Sequence, residues 1–104
     1  MSPDPSYRLI IHPEVIAVAT ALLRRATTVG ARPRVEAALR AIEERLKDRP
    51  RGWGDPVKDY LGIRATVYRR VYDELVVRYT VHDGQPLVWW IGLEPVLGHP
   101  LREG

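Results

Sequence analysis

The spacing of hydrophobic residues changes twice along this chain, and each change marks a new kind of element. Tyr7 to Ile11 is a short apolar run, read as a strand, and it stops at His12-Pro13 because proline disfavours helical geometry in the residue before it. Pro13 suits the first turn of a helix, where Glu14 meets the positive end of the helix dipole. Val15, Ile16, Ala19, Leu22, Leu23 and Ala26 then recur at helical spacing and Gly30 offers a C-terminal cap, which predicts a helix from about Pro13 to Val29. A second helix begins near Pro33, with a narrower stripe of Val35, Leu39, Ile42 and Leu46, and ends before Pro50. The charges between the stripe positions, Glu36 and Arg40 at a four-residue spacing among them, read as a solvated face.

From Arg64 to Leu93 the period becomes two. β-Branched and aromatic residues alternate with arginine, and Asp73-Glu74 and Asp83-Gly84 supply turn chemistry, so the stretch predicts three consecutive strands. If Asp73-Glu74 is a two-residue turn, Tyr72 lies opposite Leu75, Arg70 opposite Val77, Arg69 opposite Arg78 and Tyr68 opposite Tyr79. One face then holds Tyr68, Arg70, Tyr72, Leu75, Val77, Tyr79 and Val81, and as the more apolar it should receive the helices. The other holds Val67, Arg69, Val71, Val76, Arg78, Thr80 and His82, joined by Trp89 if the second turn keeps the parity. Between helices and strands, Arg49 to Gly62 is rich in Gly and Pro and predicts no regular structure. Trp53 within it either stacks on a partner or plugs the edge of the core, the second being the commoner role.

A length of 104 residues allows one α+β domain spanning 1–104, with a flexible N-terminal tail at 1–6 and a C-terminal tail at 94–104. Fourteen of the sixteen basic residues are arginine, the side chain that grips phosphate or carboxylate with a planar fork, and the net charge is +3, a mild lean towards an anionic partner. The absence of cysteine excludes disulfides, thiolate metal sites and cysteine nucleophiles. No stretch reads as a signal peptide or reaches the ~20 apolar residues of a membrane span, so a cytoplasmic protein is expected. Three scattered histidines make no metal pattern, and neither a P-loop nor a Ser-His-Asp signature occurs, so neither metal nor cofactor is expected.

Arg69 facing Arg78 is the sharpest local signal, because like charges directly across a strand pair repel by some tenths of a kcal/mol. Two explanations stand side by side. An acid of the same chain, Glu14, Asp59 or Glu94, bridges the pair; or a phosphate backbone lies over an open sheet face, with Trp89 nearby for stacking.

The order strand, helix, helix and three-stranded meander resembles the RelE/ParE superfamily of toxin-antitoxin and plasmid-stabilisation proteins over roughly Tyr7 to Leu93. VVRYTVHDG at Val76 to Gly84 looks like the family's "yRxxYxVxDd" strand and turn, followed by LVWWIG at Leu87 to Gly92. RLKDRPRGWGDPVKDYLG looks like its "L..nP...g..L.G" passage. The resemblance implies a β-α-α-β-β-β fold with two N-terminal helices on one face of a small, mainly antiparallel sheet. It also implies a toxin silenced by a cognate antitoxin protein. Such a toxin is either a metal-independent, ribosome-dependent mRNA endoribonuclease or an inhibitor of a protein target such as gyrase.

Family ribonucleases use the RNA's own 2′-hydroxyl as nucleophile, which requires a proton acceptor, arginines for the phosphorane and an acid for the leaving oxygen. The family's strand arginine aligns on Val76, with Arg78 two residues on and on the same side. Active members carry an Arg or His after the last strand, where this chain has Leu93-Glu94-Pro95 and then His99. The implied site is therefore Arg78, Arg69, Glu94 and His99 for catalysis, with Lys58, Arg64, Arg69 and Arg78 on phosphate and Trp89 or Tyr68 stacking a base. Ribosome and mRNA are the implied partners of the nuclease, and a homodimer is compatible with either branch. A binding protein of the same fold without the chemistry is the alternative.

Overall fold

A computed structural model describes residues 7–96, so the expected tail at 1–6, positions 97–104 and with them His99 lie outside the described residues. The elements are β1 (Arg8–Ile11), α1 (Pro13–Thr28), α2 (Arg32–Asp48), α3 (Pro50–Trp53), β2 (Asp55–Tyr60), β3 (Ala65–Tyr72), β4 (Leu75–His82) and β5 (Leu87–Pro95), with a 3-10 turn at Leu61–Ile63. This is an α+β fold: five strands in the order β1-β5-β4-β3-β2, antiparallel except that β1 runs parallel to β5.

Local chemistry sets the helix ends. The His12 imidazole caps α1 by accepting the Glu14 N–H at Nδ1 (3.1 Å). At the other end Gly30 takes φ +74°, a left-handed conformation open to glycine at little cost. The Ala31 N–H then returns to the Ala26 carbonyl (2.7 Å) and the Gly30 N–H to that of Thr27, a Schellman ending that satisfies two otherwise orphaned acceptors. On α2, Glu36 pairs with Arg32 (2.6 Å) rather than with the expected Arg40, because Arg32 already belongs to the helix and offers the same four-residue spacing from the other side.

The meander has the register read from the sequence, Arg69 opposite Arg78 included. Tyr68, Leu75, Val77, Tyr79 and Val81 on its inner face, with Val88, Trp90 and Leu93 of β5, meet Val15, Leu22 and Ala26 of α1 and Val35, Ala38, Ile42 and Leu46 of α2 in one core. Both long helices thus cover one side of the sheet. Asp73 and Glu74 hold φ +46° and +66°, the paired left-handed values of a type I′ turn. Arg34 at the start of α2 holds this turn through Asp73 (2.7 Å), and that hydrogen bond, with the carboxylate charge, raises the guanidinium pKa further above its ordinary value.

Two expectations need correcting. Arg49 to Gly62 is ordered: it forms α3, then β2, then the 3-10 turn, which adds a fifth strand to the expected four. Every β2 residue is exposed, so no hydrophobic alternation marks the strand; it exists because β3 offers a free edge to pair with. Pro56, a bulge at Val57 and Lys58 then blunt β2 as an edge in its turn. At the C-terminal end the strand continues past Leu93, with Glu94 and Pro95 pairing with Val76 and Leu75, so the tail does not begin at 94.

Candidate functional site: the open face of the sheet

Strand alternation sends one set of side chains away from the helices. Across the middle of that open face runs a row of cross-strand partners, Asp55, Arg69, Arg78 and Gly92, one from each of β2 to β5. Arg69 and Arg78 are both exposed. A β-bulge at Ile91 shifts β5 so that Gly92 rather than a side chain stands beside Arg78. A Cβ on Gly92 would come within 3.3 Å of the Arg78 Cβ and 3.6 Å of its Cδ, so the arginine stem lies flat across the glycine.

The stem lies beside a pocket of ≈ 210 Å³ lined by Glu14, Val18, Val76, Arg78, Gly92 and Glu94. Beyond Trp90 the strand β5 has no β1 partner, and α1 packs against β5, which brings Glu14 to the same pocket as a group from the sheet's other side. Of the three acids expected near the arginines, Glu94 reaches Arg78 loosely (3.9 Å) and Glu14 shares its pocket. Asp59 instead accepts from the Thr66 hydroxyl (2.9 Å). Arg69 has Asp55 as its cross-strand neighbour on β2, but among the described residues no carboxylate closes to within 4 Å of its guanidinium.

The remaining expected residues divide by position. Trp89 stands on the open face opposite Thr80, half-buried, with its ring 6.5 Å from that of His82. Lys58 sits on edge strand β2 with Nζ 4.9 Å over the Tyr60 ring. Arg64 precedes β3 with φ +53°, and its carbonyl accepts the Asp83 N–H (2.7 Å). It stands at the His82 end of the sheet, five residues along β3 from Arg69. Tyr68 is a correction: it faces the helices, is 7 % exposed and stacks on Tyr79 at 5.3 Å, so it is core and cannot receive a base. Trp53 likewise packs on the core, 6.0 Å from the rings of Tyr72 and Tyr79, with Arg70 stacked over its outer side.

Two residues whose role the sequence left unmarked meet at the His82 end of the sheet. His82 Nδ1 accepts the Gly84 N–H (3.0 Å), and the Arg51 guanidinium donates to the His82 carbonyl while facing Asp83 at 3.8 Å. Their only trace in the sequence is a histidine two residues before a turn glycine, the spacing at which a side-chain acceptor closes a local ring. Among the described residues no group of three or more His, Asp or Glu could hold a metal, and no helix is long and apolar enough to cross a membrane. Chemically, the face offers two adjacent guanidinium forks, a half-buried indole and two carboxylates at the edge. No family model matches the chain, and neither the curated proteins nor the solved structures contain a match.

Proposed function

We propose that the protein is a RelE/ParE-like toxin that binds RNA on the open face of its sheet and acts in the cytoplasm. The observation that carries this reading is the adjacent pair Arg69 and Arg78, exposed on a sheet face without helices, with Glu94 reaching Arg78 only loosely (3.9 Å) from the β5 side. Adjacent guanidinium groups cost electrostatic energy unless an anion is shared, and a phosphodiester satisfies both forks. Trp89 on the same face supplies stacking area, and Lys58 and Arg64 extend the positive charge towards the edge of the sheet.

In the nuclease form of this reading, Arg78 and Arg69 bind the scissile phosphate and stabilise the charge it gains as the 2′-oxygen attacks. Glu94 and Glu14, which share the Arg78 pocket, are the carboxylates within range to take the 2′-proton. The groove between α1 and α2, where Ile16 is 54 % exposed beside Ala19, Leu23 and Leu39, suits the apolar face of an antitoxin helix. One observation favours a second, non-catalytic reading: Glu94 lies 3.9 Å from Arg78 and offsets part of its charge from within the chain, which fits a ParE-like inhibitor of a protein target.

Expression from a tightly repressed promoter in a bacterium, with mRNA 5′ ends mapped alongside growth, separates these. The nuclease predicts growth arrest with new 5′ ends inside translated codons, both abolished by Arg78→Ala without loss of folding. Arrest without new ends supports the protein-target form, and normal growth with soluble, folded protein counts against a toxin of either kind.

A further inference from the structure

We infer that His82 and Trp89 form a nucleobase-reading site, selective for a purine, on the face that carries Arg69 and Arg78; this rests on the RNA-binding reading above. The two rings stand 6.5 Å apart at 52°, a tilted contact that sets the imidazole beside the indole and leaves a base to stack on the outer face of the indole. The imidazole is fixed in both orientation and tautomer. Its Nδ1 accepts the Gly84 N–H, so the neutral ring carries its proton on Nε2, which has no hydrogen-bond partner among the described residues. The backbone beneath it is pinned twice: Arg51 donates to the His82 carbonyl, and the Asp83 N–H donates to the Arg64 carbonyl. A single N–H donor is thus held rigidly beside a half-buried indole, without a function inside the fold.

Position ties this ring pair to the arginines. Thr80, the partner of Trp89, lies two residues from Arg78 along β4, roughly 7 Å, and His82 two further on. An extended dinucleotide spans that distance, so a phosphate on Arg78 sets a neighbouring base on Trp89. A purine has the larger stacking area and presents N7 as an in-plane acceptor at the edge of the stacked ring, where Nε2–H would meet it.

The test is fluorescence anisotropy of the full chain with a short oligouridine carrying one variable nucleotide at its centre. The wild type should prefer A or G at that position to C or U. His82→Asn keeps an acceptor for the Gly84 N–H but has no atom at Nε2, so it should lose the purine preference while its circular dichroism and Tm stay unchanged. His82→Gln places an N–H near Nε2 without the turn bond, and should recover part of the preference at a lower Tm. Trp89→Ala should weaken every oligonucleotide by roughly tenfold or more. If the wild type shows no purine preference, or His82→Asn retains it, while Arg78→Ala still weakens binding, the base site is wrong and the RNA reading stands. If the wild type binds none of the oligonucleotides, both fall.

Discussion

The Tyr79 phenol sits where three segments meet. Its hydroxyl donates to the Pro50 carbonyl and accepts the Gly54 N–H (2.8 Å), and its ring lies between those of Tyr68 and Trp53. Burial pushes its pKa up to about 12, with the Gly54 hydrogen bond pulling the other way. Since the folded value stands above the unfolded value of 10.0, the stabilising contribution is complete below about pH 10 and is lost as the pH rises through about 12. Urea unfolding at stepped pH should show that decline in the wild type and a shallower one in Tyr79→Phe. The same variant should be about 1–3 kcal/mol less stable at neutral pH, because a buried carbonyl and N–H lose their partner. At this scale the sequence was legible where parity decides: Arg69 and Arg78 followed from a two-residue turn. His82 was not, since its significance lies in which ring nitrogen the Gly84 N–H occupies, and no spacing rule reports that.

Among the elements, the β3–β4 hairpin carries a correctable strain. Glu74 holds φ +66° with a Cβ, which costs an L-residue roughly 1–2 kcal/mol, and Asp-Gly is the pair that a type I′ turn favours. Glu74→Gly should therefore raise stability by about 1 kcal/mol, or about 4–8 °C in Tm by differential scanning calorimetry; an unchanged Tm would mean that the side chain's own contacts, including Glu74 to Arg34 at 3.9 Å, match the strain. α1, α2 and the meander were legible because each buries a periodic stripe. β2 was not, because a strand with both faces wet leaves no hydrophobic period, and α3 is too short to show one. What places the α3–β2 junction is a close approach: a Cβ on Gly54 would meet the Tyr79 hydroxyl at 2.6 Å.

For the molecule as a whole, the fold class was visible in the change from helical to strand period, and the two-sided character of the sheet in the parity that sets Tyr68, Leu75, Val77, Tyr79 and Val81 apart from Arg69 and Arg78. The edge strand β2, and the pocket that Glu14 shares with Arg78, were out of reach because both depend on how distant segments meet at an edge. β5 is the element on which the assembly depends. It lies between β4 and β1, pairs with both, and contributes Val88, Trp90 and Leu93 to the core. A chain ending at Pro86 should lack a cooperative thermal transition; if it retained one at a similar Tm, β1 and the helices would have to close against β4 without β5.

That central place for the fifth strand also orders events during synthesis. β1 emerges from the ribosome first, yet its partner is translated some eighty residues later, Arg8 pairing with Leu87. Until then the helical hairpin and the β3–β4 hairpin can form locally while β1 has no neighbour, and the pocket that holds Arg78 lacks the Gly92 and Glu94 side of its wall. The polypeptide is therefore held unfinished, and its arginine face incomplete, until β5 has been made.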